Sequence, residues 1–188
     1  MNAENKLQSG RVKIISGEKN TLFIYPAARN MKISLMTLIF GSFCTFGTYY
    51  IFTGTYDSIQ ETSGQLSGVM ISLMLPFFSI FGVISIAMII YGIYLLANSL
   101  KVEISGDQVT SERSVFGINI SRKSIPLNEI DDFELKRFAQ RGSGNAANVL
   151  FSIKINSKDG RKVTAGDGIE GYEIAGRIME MMKDKCGL

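Results

Sequence analysis

The chain has 188 residues, 46% of them hydrophobic, and 20 Lys or Arg against 17 Asp or Glu give a formal charge of +3. So weak a positive balance, with no basic arm, repeat or low-complexity tract, argues against nucleic acid as a partner. Histidine is absent and cysteine occurs twice, so the commonest general base, the commonest metal ligand and a disulfide framework are all missing.

Residues 1–30 hold a strand pair, Arg11–Ile15 and Thr21–Tyr25, around the loop Ser16-Gly17-Glu18-Lys19-Asn20. Two strands are unstable alone in water, so this hairpin is expected to join strands from later in the chain. Residues 33–56 and 62–100 then contain no Asp, Glu, Lys or Arg. A run of ~20 apolar residues spans the ~30 Å hydrocarbon layer as a helix. The expected organisation is a membrane helix over 31–54, an external connector over 55–67 and a second membrane helix over 68–99. Tyr49 and Tyr50 stand at the far end of the first run, and Tyr91 and Tyr94 near the inner end of the second, where aromatic belts form. Pro76 is expected to tilt or bend the second helix near its start. Gly41, Ser42 and Thr45 in one run and Ser79, Gly82, Ser85 and Gly92 in the other permit close helix contact, read as packing within the hairpin.

Positive residues set the orientation. Lys6, Arg11, Lys13, Lys19, Arg29 and Lys32 precede the first span, the connector carries only Asp57 and Glu61, and Lys101 reopens the positive series. The positive-inside rule therefore puts both termini in the cytoplasm. Neither run offers an ionisable group for ion or proton transfer.

Residues 100–188 change to a period of two. Val102–Ile104, Val109–Val115, Ile118–Ser124, Ile130–Lys136, Val149–Ile155 and Lys162–Ala165 read as short strands. Ser157-Lys158-Asp159-Gly160 is the clearest hairpin turn. From about Gly171 to Lys185 an apolar stripe of Ile174, Ile178 and Met181 opposes Glu173, Arg177, Glu180 and Asp184, the pattern of a helix covering a sheet. The expected fold is a membrane helical hairpin plus an α+β soluble part, with seven or eight antiparallel strands closed by a C-terminal helix.

The phrase Ile125-Pro126-Leu127-Asn128-Glu129-Ile130, the paired strands around Gly106 and Gly117, and Ala165-Gly166-Asp167-Gly168-Ile169 ahead of Glu173 and Ala175 carry a resemblance. So does the first hairpin, ending at Tyr25-Pro26 before a two-span insert. The chain resembles bacterial two-span membrane proteins with a pleckstrin-homology-like domain. The resemblance implies a split antiparallel barrel or sandwich with a capping helix, and a bacterial inner membrane as its location. It brings no catalytic residues with it.

Three constellations invite chemistry. Gly166-Asp167-Gly168-Ile169-Glu170-Gly171 precedes a helix but lacks the Lys and Ser/Thr of a phosphate-binding loop. It reads as a strand-to-helix connector, with Asp167 and Glu170 as capping or first-turn acids. Arg122, Lys123, Lys136, Arg137 and Arg141, the last beside the Gly142–Asn148 loop, form a candidate basic surface for anionic headgroups, with a solvated charged face as the plainer reading. Glu129, Asp131, Asp132 and Glu134 alternate faces on a strand and do not converge on a metal. The expectation is therefore a non-enzymatic membrane protein without metal or cofactor, its partners a lipid bilayer and either another protein or its own copies. An anionic-lipid sensor and a subunit of a small channel or transporter are the alternatives.

Overall fold

The computed structural model describes residues 12–17, 20–61, 65–141 and 148–188, with the side chains of 58–71, 73 and 138–148 outside that description. Lys6, Arg11, Glu18 and Lys19 thus lie outside the described residues, as does most of the Gly142–Asn148 loop. The chain divides into two compact units, one formed by the residues up to Arg29 together with Ala97–Leu188, the other by Asn30–Leu96.

The second unit is a pair of helices, α1 (Met31–Glu61) and α2 (Gln65–Ala97). Both outrun the apolar segments: α1 continues through Asp57 to Glu61 and α2 resumes at Gln65, so helix takes up most of the expected 55–67 connector. Residues 55–61 and 65–67 contain neither glycine nor proline, the residues that most weaken a helix. Pro76 sits inside α2. Within these helices Met31–Asp57 and Met74–Ala97 are long and apolar enough to cross a membrane. Only 6% of the first window and 22% of the second is buried, whereas a soluble core helix hides most of its surface.

The two helices approach at Gly41 and Gly92. A Cβ on Gly92 would lie 2.7 Å from Leu38 Cγ, and one on Gly41 3.0 Å from Ile89 Cγ1. The buried Ser34 hydroxyl donates across the pair to the Gly92 carbonyl. Gly47, Gly54 and Gly82 meet nothing within 4 Å of such a Cβ. Of the small residues in the sequence, Gly41 and Gly92 therefore mark the helix contact and Gly82 does not.

The first unit is α+β. Its five-stranded antiparallel sheet runs in chain order through β1 (Lys13–Ser16), β2 (Asn20–Tyr25), β3 (Asn98–Ser105), β4 (Gln108–Val115) and β5 (Ile118–Pro126). A short 3-10 turn, Leu127–Glu129, leads into a three-stranded sheet of β6 (Ile130–Arg141), β7 (Asn148–Ser157) and β8 (Lys162–Glu170), followed by α3 (Tyr172–Cys186). Strands β2 and β3 pair with Tyr25 opposite Leu100, so the helical pair occupies the loop position of one β-hairpin. Asn98 already belongs to β3, and the second apolar helix stops at Ala97, short of the expected residue 99.

Alternation builds the core. Thr21, Phe23 and Tyr25 of β2 and Asn98, Leu100, Val102 and Ile104 of β3 point inward, while Lys101 stays exposed. Phe23, Tyr25, Leu100, Val102 and Ile104 meet Ile153 and Ile155 of β7, Val163, Ala165 and Ile169 of β8, and Ala175, Ile178 and Met182 of α3 in one cluster. Helix α3 ends as its sequence demands. Gly187 takes a left-handed φ of 75°, its N–H bonds the Asp184 carbonyl, and the Leu188 N–H bonds the Lys183 carbonyl, the paired bonds of a Schellman cap. Cys186 in its last turn packs against the core, and burial pushes its thiol up to about 11. The unfolded chain ionises this thiol near ~8.5, so the stabilisation from burying the neutral thiol is complete below that pH and is lost as pH rises through about 11. At pH 8 Cys186 should alkylate roughly a hundredfold more slowly in the native protein than in denaturant, following its thiolate fraction, as read by mass spectrometry; equal rates would show the thiol is not protected.

Candidate functional site

The glycine-rich segment 166–170 is not a loop. It forms the second half of β8, and this corrects the sequence-based reading of Asp167 as a helix-capping acid. The strand pairs Ile153 with Gly166 and then Phe151 with Ile169, so β8 carries an extra residue there. Gly168, at φ 66°, supplies the left-handed step of that bulge. A bulge re-aims side chains, and here it leaves Asp167 inside, 8% exposed. Gly166 serves a second need: a Cβ there would lie 2.9 Å from the Tyr25 hydroxyl.

Asp167 lies between two arginines. Its Oδ2 accepts from Arg29 Nη2 at 2.9 Å and from Arg113 Nη2 at 3.1 Å. Arg29 is 3% exposed, and its Nη1 also donates to the carbonyls of Asn98 at 2.8 Å and Pro26 at 3.3 Å. The guanidinium therefore fastens together the end of β2, the start of β3 and the bulge of β8. Ala28, at a left-handed φ of 58°, turns the chain immediately before it. Charge-assisted bonds of this kind are short and strong, and inside a protein they are screened little. The neighbouring Tyr25 phenol is wholly buried. Burial raises its pKa far above the ordinary value, Arg29 opposes the rise and Asp167 adds to it, so the phenol stays protonated at physiological pH. Chemically the cluster is a clamp on the two chain segments that continue into the helices.

The candidate lipid-binding residues fall on two sheets. Arg122 and Lys123 are on β5 and exposed, while Lys136 and Arg137 are on β6. Arg122 stands opposite Glu112 in the β4–β5 register and bonds it at 3.2 Å. Lys136 bonds Glu134 at 3.1 Å, and its hydrogen bond is the main reason the Glu134 carboxyl sits below the usual range. Arg141 ends β6, but its side chain is outside the described residues.

The acidic run is divided among separate partners. Glu129 takes Arg161 at 2.5 Å and Asp132 accepts from Asn156 at 2.6 Å. Arg161 also pairs with Asp159 in the Ser157–Gly160 turn, whose backbone N–H bond from Arg161 helps hold the Asp159 carboxyl low.

Sequence reasoning missed the clamp because its members are 84 and 54 residues apart. The one local sign was an acid between two glycines, where the backbone can bulge. No protein-family model matches the sequence, and no curated protein matches it.

Proposed function

We propose that this chain is a non-catalytic scaffold of a bacterial inner membrane, crossing it twice and holding a pleckstrin-homology-like module on the cytoplasmic side for assembly with a partner protein. One observation carries the reading: the two apolar helices are the loop of the β2–β3 hairpin, inside the five-stranded sheet. A module built around its membrane joint is suited to presenting a surface, and Arg29 locks the strands that lead into and out of the helices. Two antiparallel sheets, of five and three strands, followed by the covering helix α3 support the pleckstrin-homology-like reading. Lys32 and Lys101 flank the helices, and residues 54–67 between the apolar runs carry no Lys or Arg, which supports cytoplasmic termini. Among the described residues, the sheet's outer strands β1 and β5 each pair on one side only, which leaves an edge for strand addition by a partner.

Crosslinking in cells followed by purification in mild detergent tests the scaffold. A specific, stoichiometric partner is the expected result, and a lone monomer under several conditions overturns it. A fluorescent protein fused at the C-terminus should glow and a periplasmic phosphatase fused there should be inactive; the reverse would refute the orientation.

A further inference from the structure

The β4–β5 turn carries an apolar cluster that the fold does not use. Phe116 and Gly117 form a two-residue turn with φ values of 52° and 80°, the type I′ geometry that asparagine and glycine occupy most easily. A phenylalanine in the left-handed region is strained, and this one is 72% exposed, so burial within the chain does not offset the strain. Ile118 is 70% and Ile120 55% exposed on the strand that follows. Ile120 is the extra residue of a β5 bulge between the pairs Arg113–Ser121 and Ser114–Asn119.

The strand register says what lies next to this tip. Val115 pairs with Asn98, and the Phe116 N–H donates to the Ala97 carbonyl at 3.3 Å. Ala97 is the last residue of the second apolar segment. A residue at the end of a spanning helix sits in the interfacial layer, and the Phe116 turn is hydrogen-bonded to that residue. The exposed Lys123 follows along β5, within ~17 Å of Ile118 at ~3.3 Å per residue, with the sign that anionic headgroups attract.

We propose that the β4–β5 turn is a membrane-inserting tip, whose Phe116, Ile118 and Ile120 enter the headgroup–acyl boundary of the bilayer that the helices cross. The inference rests on the membrane reading of those helices. It explains why a strained, exposed aromatic stands where a polar turn residue would be easier. It also gives the α+β unit a second hold on the membrane besides its covalent joints.

The chain contains no tryptophan, so a single introduced indole reports its own surroundings. Full-length Phe116→Trp, Ile118→Trp and, as a control, Asp107→Trp would be placed in nanodiscs of mixed zwitterionic and anionic lipid. Asp107 lies in the turn at the opposite end of β4, about 26 Å away for an eight-residue strand. Both tip variants should show blue-shifted emission, protection from iodide, and a loss of roughly half the signal to brominated acyl chains, the depth of an interfacial segment being ~5–10 Å. Asp107→Trp should emit as in water and ignore the bromines. Water-like, iodide-quenched tip emission in a protein that resists alkaline extraction overturns the tip alone. Blue-shifted emission that bromines do not quench means protein covers the tip, and also overturns it. Extraction of the chain by alkaline carbonate overturns the membrane reading and the tip with it.

Discussion

Asp167→Asn should destabilise the α+β unit by about 3–5 kcal/mol, the range for removing one member of a buried ion pair. Asparagine keeps the shape of aspartate, so the loss cannot be assigned to a cavity. It does remove a carboxylate bonded to both Arg29 and Arg113. Arg29, 3% exposed, would then lose the carboxylate that its buried guanidinium bonds at 2.9 Å. The Arg113 side chain is 23% exposed and can turn toward water, so Arg113→Gln should cost only about 1 kcal/mol. Denaturant unfolding of the full protein in detergent, followed by hydrogen exchange of β3 and β8 amides, measures both. An Asp167→Asn midpoint equal to that of the native protein would show that the cluster holds nothing together.

The clamp also shows where the sequence could be read and where it could not. Strands with strict alternation were legible: Phe151–Asn156 lies within β7, and the Lys158-Asp159-Gly160 turn follows it directly. The C-terminal helix was legible as well, because its stripe, its first-turn Glu173 and its terminal glycine agree. The sequence pattern ends β8 at Ala165, because Gly166, Asp167 and Gly168 are poor strand formers. Cross-strand pairing with β7 overrides that preference and absorbs the misfit as a bulge. The sequence pattern likewise starts β3 at Val102, whereas the strand begins at Asn98. Asn98, Ser99 and Leu100 extend an uncharged run, and nothing in composition separates the end of an apolar helix from a strand that begins on the next residue.

The basic residues teach a different lesson. Arg122 and Lys136 read as free positive charges in a linear scan, yet each has a carboxylate on its own sheet. For Arg122 that partner is set by cross-strand register, which the sequence does not disclose; for Lys136 it is Glu134, two residues away on the same face of the strand. The apolar tip is the converse case. Phe116, Ile118 and Ile120 look like ordinary strand hydrophobics, and only the exposure of β5 reveals that the fold leaves them outside.

Gly92→Ile should be the most disruptive single change in the helical pair, while Gly82→Ile should be silent. The two glycines are ten residues apart on one helix and look alike in sequence. At Gly92 an added Cβ would press on Leu38 Cγ at 2.7 Å and stand 3.3 Å from the Leu38 backbone nitrogen, so a β-branched side chain forces the helices apart. Separation also breaks the Ser34 hydroxyl bond to the Gly92 carbonyl, leaving a hydroxyl without a partner in an apolar setting. Overpacking of this kind costs about 1–3 kcal/mol, and the lost hydrogen bond about 1 kcal/mol more. At Gly82 the same side chain meets open space, and in lipid an isoleucine at mid-helix is favourable by roughly 0.3–0.6 kcal/mol. Unfolding by rising SDS fraction in mixed micelles, read by circular dichroism, should therefore shift to lower SDS for Gly92→Ile and stay level for Gly82→Ile. Equal behaviour of the two variants would mean the helices do not meet through Gly92, and that what holds them lies elsewhere along the pair.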